Sequence, residues 1–296
     1  MKDAFAQFHP IVNFLYFVLM IGFTMFLVEP ICLGVSLGCA FAYSIYLKGY
    51  KALYFNLKYM LPTLLVTALI NPAFNHEGAT ILFYLKSGNP LTLESIIYGV
   101  VAATILVAII IWFSCYNQIM TSDKFIYLFG KGIPALSLVL SMVLRFIPKF
   151  KGQLQSIIQA QKNIGREYTH KSILKRAKQG MTILFIMITW ALEDAIITAD
   201  SMKSRGYGLV GRTAFSIYKW QEKDKRALIV LIGLGSYVWS GILQGELAFY
   251  YYPSIKEIRL SFYSLSLWLS YLGLGLLPLV INLWEDRKWK HIQSNI

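Results

Sequence analysis

The sequence is poor in charge, in cysteine and in catalytic motifs. Of its 296 residues only 15% are Asp, Glu, Lys or Arg, against about 25% in a typical soluble domain. A chain so short of charge cannot cover a globule with polar surface, which excludes disorder, a collagen-like repeat and an ordinary soluble enzyme. Acid is the scarcer sign, with 15 Asp and Glu against 28 Lys and Arg. Three cysteines (Cys32, Cys39, Cys115) and four scattered histidines (His9, His76, His170, His291) offer neither a disulfide framework nor zinc spacing. No metal site is expected.

Catalytic signatures are also missing. Gly130-Lys131-Gly132 lacks the spacing and the hydroxyl of a phosphate loop. There is no G-x-S-x-G, H-E-x-x-H or G-x-G-x-x-G motif. Glu193 and Asp194 are adjacent, and adjacent residues on a helix point apart, so they make a poor acid/base pair. No catalytic residue and no cofactor is expected.

What the sequence has is apolar length. Ala, Val, Ile, Leu, Met, Phe, Trp, Tyr and Cys make up 56% of it, with a mean hydropathy of +0.54. Six uncharged runs, 4–28, 30–47, 59–76, 95–122, 227–245 and 260–284, reach the length of about 18 residues that spans a bilayer as a helix. The first is too long, and lacks the small-residue exit, for a cleaved signal peptide; Glu29-Pro30 reads as a tight turn into the second. Two runs, 132–144 and 179–192, are shorter and read as helices at the cytoplasmic interface. The expected fold is an all-α polytopic membrane protein of about six transmembrane helices. A block of amphipathic helices lies between the fourth and fifth spans. The domains are 1–122 (four spans), 123–226 (interfacial helices) and 227–296 (a two-span hairpin).

The basic surplus sets the orientation. With the N-terminus inside, the outer segments hold Lys86, Lys256 and Arg259 against Glu29, Glu77, Glu94, Glu246 and Glu257, leaving the other 25 basic residues on the cytoplasmic side. Both termini are therefore expected in the cytoplasm of a plasma-membrane protein. Residues 145–226 alone carry 16 basic and 6 acidic residues, or +10 of the net +13. Positive-inside bias and anionic lipid account for such a block without a nucleic-acid partner. Within it, Leu154, Ile157, Ile158, Gln161, Ile164 and Gly165 recur at helical spacing in a helix drawn over 151–178. A second amphipathic pattern stops at Ser204-Arg205-Gly206. Glycine past a helix end is the usual C-cap, and a cation in the last turn suits the helix dipole. Small-residue spacings, Gly34-x-x-x-Gly38 and Gly241-x-x-x-Gly245, suit close helix packing in lipid. Asn71-Pro72 is expected to break the third span near its outer end. Residues 79–85 read as an extended outer loop or small hairpin. The long runs contain no ionisable residue of the kind gradient-driven carriers use, which favours an energy source on another protein over the alternative, a stand-alone secondary carrier or channel.

The stretch Ala199-Asp200-Ser201-Met202-Lys203-Ser204-Arg205-Gly206-Tyr207-Gly208 resembles the second Ala-Arg-Gly signature of the transmembrane T component (EcfT/CbiQ-like family) of energy-coupling factor transporters. These are ABC-type importers of vitamins and of metal micronutrients such as cobalt or nickel. Asn163-Ile164-Gly165 sits where the first signature falls. Residues 71–83, with Thr92, Glu94, Tyr98 and Gly99, and Arg145-Phe146-Ile147-Pro148 are also similar to the family. Ser204 replaces alanine, and Ile164 stands where arginine belongs. Arg166 is one residue on, about 100° round a helix, so either it substitutes or one of the two contacts is altered. The resemblance implies a coupling scaffold whose ATPase-coupling residues are Ser204, Arg205, Gly206, Asn163, Ile164, Gly165 and Arg166. It implies as partners two ABC ATPase subunits, a substrate-binding S component and membrane lipid.

Overall fold

The computed structural model describes residues 3–84, 90–130, 134–165, 173–209, 218–253, 255 and 261–294. Arg166, Lys86, Lys256 and Arg259 lie outside them. The chain forms two compact units, Met1–Phe125 with Tyr218–Ile296, and Ile126–Ile217.

In the first unit, a 3-10 turn (Phe5–Gln7) leads into α1 (Pro10–Phe26), whose first position is a proline with a preset φ. Glu29 and Pro30 start α2 (Pro30–Lys48) in the same way. A short α3 (Tyr50–Phe55) and a π turn (Asn56–Met60) run on into α4 (Leu61–Phe74). Strands β1 (Ile81–Tyr84) and β2 (Pro90–Thr92) pair antiparallel, with Phe83 opposite Leu91 and Tyr84 opposite Pro90. The segment between α4 and α5 thus contains a small sheet, as its β-prone composition suggests. Long helix α5 (Leu93–Ile119) follows, with the Thr92 hydroxyl capping it through Ser95 N–H. After α6 (Ser122–Gly130) and the second unit, α9 (Glu222–Leu243) and α10 (Phe262–Ser294) return to the bundle.

Six helical stretches are long and apolar enough to cross a membrane: Pro30–Lys48, Tyr50–Phe74, Leu93–Ile119, Arg176–Ser204, Glu222–Leu243 and Phe262–Gln293. The set differs from the six charge-free runs. Helix α1 has 17 residues, about 26 Å of rise, just short of a hydrocarbon core of about 30 Å. The Arg176–Ser204 stretch enters instead, because its helix carries on past Glu193 and Asp194, where a run counted between charges must end.

The core of the unit is aromatic. Tyr16, Phe17, Phe23, Trp112 and Tyr271 are all buried and meet edge to face. A polar knot ties four helices together inside it. Ser36 Oγ of α2 lies 2.5 Å from Thr24 Oγ1 of α1 and accepts from Trp112 Nε1 of α5 at 3.1 Å, while Tyr271 OH of α10 sits 3.3 Å from Thr24. Near the α1–α2 turn, buried Glu29 accepts from Trp268 Nε1 at 2.9 Å and from Cys32 Sγ. At the opposite end, the N-terminal segment is pinned by side chains from distant helices. Asn282 accepts from Phe5 N–H at 2.9 Å, Asp224 from His9 N–H at 3.0 Å, and Lys124 donates to the Ala6 carbonyl. His9 stacks on Trp220 at 4.0 Å.

Two sequence expectations change. Pro72 does not break α4, which continues to Phe74. Proline cannot bond the Ala68 carbonyl, and that oxygen instead lies against Gly99 of α5, where a Cβ would come within 2.5 Å of it. The Asn71 amide secures the same contact by donating to Ser95 O at 2.7 Å. Nor does close packing use Gly34-x-x-x-Gly38, since nothing lies within 4 Å of a Cβ at either glycine.

Replacing Gly99 with alanine should push α5 off α4 and cost about 1–3 kcal/mol, read as a lower melting temperature in detergent. A second expectation concerns pH. Burial pulls the Lys124 ammonium down from its ordinary 10.5 to about 8, against a smaller opposing pull from Asp3. Between those values the native protein binds fewer protons than the unfolded chain, so this residue's contribution to stability rises with pH across that window. The melting-temperature difference between wild type and Lys124→Met should shift in favour of the wild type from pH 8 upward, and a constant difference would contradict the assignment.

Candidate functional site

The second unit contains the signatures. Helix α7 (Pro134–Asn163) and helix α8 (Ile173–Ser204) make it a hairpin. The expected 132–144 and 151–178 helices are divided otherwise in the structure. Helix α7 runs through Pro148 and joins the first segment to 151–163, then ends at Asn163 instead of continuing to 178.

The helices pack antiparallel. Lys149 Nζ meets Asp194 Oδ1 at 2.5 Å, and Phe150 packs edge-on against Trp190 at 5.4 Å, with Lys149 also over that ring. Further along, Ile157 of α7 and Ile183 of α8 are the two buried residues among those described in this unit. The sequence reading missed the Lys149–Asp194 pair, because the helix register that brings them together leaves no local signature. Glu193, next to Asp194, stays exposed, as adjacent helix positions require.

Both stretches lie at helix ends that turn at a glycine. At the end of α8, Gly206 N–H bonds Lys203 O at 2.9 Å and Tyr207 N–H reaches back to Met202 O at 3.0 Å. These are the two bonds of a Schellman cap. Gly206 is the left-handed residue at φ +79°, and Arg205 is the last residue before it. At the end of α7, Gly165 N–H bonds Lys162 O at 3.0 Å, and Gly165 also has φ +79°. Ile164 thus occupies the cap position that Arg205 holds on α8, and it is 72% exposed. Ser204 Oγ turns back to Ser201 O at 3.0 Å, so its hydroxyl is spent within the helix. Arg205 has no ion-pair partner among the described residues. The helices are about 45 Å and about 48 Å long at 1.5 Å per residue. Antiparallel packing therefore puts the two tips at opposite ends of the hairpin, one presenting a guanidinium and the other an aliphatic side chain. No group of three or more His, Cys, Asp or Glu side chains gathers anywhere among the described residues.

A bundle of apolar helices and a two-tipped helical hairpin together define a polytopic membrane protein. The family model described as cobalt transport protein, CbiQ, matches residues 6–215, and the chain belongs to that family. The energy-coupling factor transporter transmembrane protein EcfT of Lactobacillus helveticus is 34% identical over 111 residues, 36% of this chain and 40% of that protein. That of Leuconostoc gelidum is 35% identical over 105 residues, 35% of this chain and 39% of its own length. EcfT 1 of Listeria monocytogenes is 28% identical over 233 residues, 74% of this chain and 80% of that protein. The chain spans about two fifths of the length of the first two relatives.

Gly206→Ala should strain the cap. A Cβ there sits in left-handed backbone and meets Leu209 Cδ1 at 3.1 Å. A cost of about 1–2 kcal/mol should speed amide exchange of Gly206 and Tyr207 about tenfold, with the membrane bundle unaffected.

Proposed function

We propose that the chain is the T component of an energy-coupling factor importer, a transmembrane scaffold that carries ATPase movement to a separate substrate-binding membrane subunit. The reading rests on one observation above all: two glycine-capped helix tips with the same backbone geometry at opposite ends of one hairpin. Two tips so placed suit two ATPase subunits, each receiving one helix end. On α8, Arg205 offers a planar fork of donors to carboxylate or backbone oxygen in such a groove, and Gly206 lets the backbone approach closely. Ser204 is the small residue before them. On α7, Asn163, Ile164 and Gly165 form the second contact, and it is aliphatic; Arg166 follows immediately. The chain itself supplies no ATP site and no catalytic residue, and its cargo is a vitamin or a metal micronutrient bound by the partner subunit.

We place the hairpin on the cytoplasmic face of the plasma membrane, with both termini on that side. Although Arg176–Ser204 is apolar enough to span, its exposed apolar side chains Met181, Leu184, Phe185, Ile188, Leu192 and Ile196 fall within about a third of the helix circumference at about 100° per residue. Such a stripe is one-sided, and Lys149 and the acidic residues of α8 serve the other side, which suits a helix lying along the interface. In the segment scheme, 1–122 and 227–296 cross the membrane and 123–226 couples. Helix α7 has a matching stripe in Val139, Val143, Ile147 and Leu154, available to the S component or to lipid.

The purified full-length chain should assemble with co-expressed ATP-binding cassette subunits. Arg205→Glu should lower that assembly at least tenfold, or leave ATP hydrolysis running without uptake, with an unchanged melting temperature. Substrate transport by the chain alone, undiminished by Arg205→Glu, would favour the stand-alone carrier instead.

A further inference from the structure

Helices α7 and α8 splay apart beyond Lys149 and Asp194, and leave a cleft of about 520 Å³. Three cations line it: Arg145 and Lys149 from α7, and Arg205 from α8. Lys149 is paired with Asp194, but Arg145 and Arg205 have no ion-pair partner among the described residues. Ser141, Thr198 and Ser201 also line it. Asp194 Oδ2 is buried and accepts no hydrogen bond. The remaining wall is apolar, with Met142 and Ile197 among its side chains. Just outside, the exposed Val139, Val143 and Ile196 continue that apolar surface along both helices.

We propose that this cleft holds the phosphate of an anionic phospholipid headgroup, with Arg145 as the principal ligand. The unpaired Arg145 guanidinium, with Lys149 one turn on, matches a phosphodiester, which takes charge-assisted and forked hydrogen bonds. Asp194 Oδ2 remains as an acceptor for a headgroup hydroxyl such as that of phosphatidylglycerol. The apolar wall and the stripes leading from it give the acyl chains a path that a free anion would not need. The cytoplasmic leaflet, rich in anionic lipid, is the surface that the +10 block faces. A lipid seated here would brace the splayed ends of α7 and α8 beside the Arg205 tip. The proposal depends on the interfacial placement of the hairpin argued above. ATPase assembly is scored separately in the same preparations, so the lipid site can fail while the coupling role stands.

The test uses the full-length chain in phosphatidylcholine nanodiscs with and without phosphatidylglycerol, and native mass spectrometry counts the lipid retained on release. Phosphatidylglycerol should be kept in preference to phosphatidylcholine. Arg145→Gln should lower its retention about tenfold, Arg145→Lys should keep most of it, and Lys151→Gln, an exposed cation of α7 outside the cleft, should change nothing. An Arg145→Gln melting temperature equal to wild type in phosphatidylcholine rules out misfolding as the cause of the loss. Equal retention of the two lipids, or an equal loss in Lys151→Gln, would overturn the site in favour of diffuse attraction. Displacement of the lipid by inorganic phosphate would reassign the cleft to a small anion. Loss of the lipid on adding the ATPase subunits would reassign it to an acidic side chain of theirs.

Discussion

Inside a bilayer a polar group has no water to bond, so each must find its partner within the protein. The first unit is organised by that constraint. Thr24, Ser36, Trp112 and Tyr271 come from four helices and satisfy one another at a single knot. Sliding any one of these helices by a turn would strand a hydroxyl or an indole N–H among aromatic rings. Glu29 obeys the same rule at the α1–α2 turn, where Trp268 supplies the donor that water would otherwise give. Even a backbone oxygen is provided for, since the carbonyl freed by Pro72 rests on the side-chain-free face of Gly99. The apolar side chains fill the bundle, and the polar ones set its register.

The second unit is built the other way. Among its described residues it buries only Ile157 and Ile183, exposes apolar stripes on both helices, and relies on Lys149 with Asp194 and Phe150 with Trp190. Two bare helices of this composition would be poorly stable in water, and an apolar surface to lie against suits them better. Each of its two ends turns at a glycine with φ +79°, but they differ in chemistry, with Arg205 on one and Ile164 on the other.

Much of this was legible in the sequence because charge is so scarce. Five of the six charge-free runs are long apolar helices, and the Glu29-Pro30 turn and the outer strands lie where composition puts them. Errors arose where one residue was given too much weight. Pro72 sits inside its helix, because Gly99 of the neighbouring helix leaves room for the carbonyl that the proline frees. Glu193 and Asp194 cut the charge-free run at 192, although the amphipathic pattern already pointed to the end of α8 at Ser204. The end of α7 was missed because Gly165 was read as a member of the apolar stripe that begins at Leu154, whereas its positive φ makes it a stop. The second tip was easier to see, since cation and glycine coincide there. Lys149, Asp194 and Arg145 were out of reach, because only the antiparallel register makes neighbours of residues some fifty positions apart.

The place where α7 and α8 touch has a mechanical meaning. Lys149 lies fifteen residues before Ile164, and its partner Asp194 lies eleven before Arg205. At 1.5 Å per residue the arms from that contact to the two tips are about 22 Å and about 16 Å. The hairpin is thus a pair of shears with nearly matched blades, pivoted on an ion pair. A change in the crossing angle moves the aliphatic end and the arginine end by comparable distances.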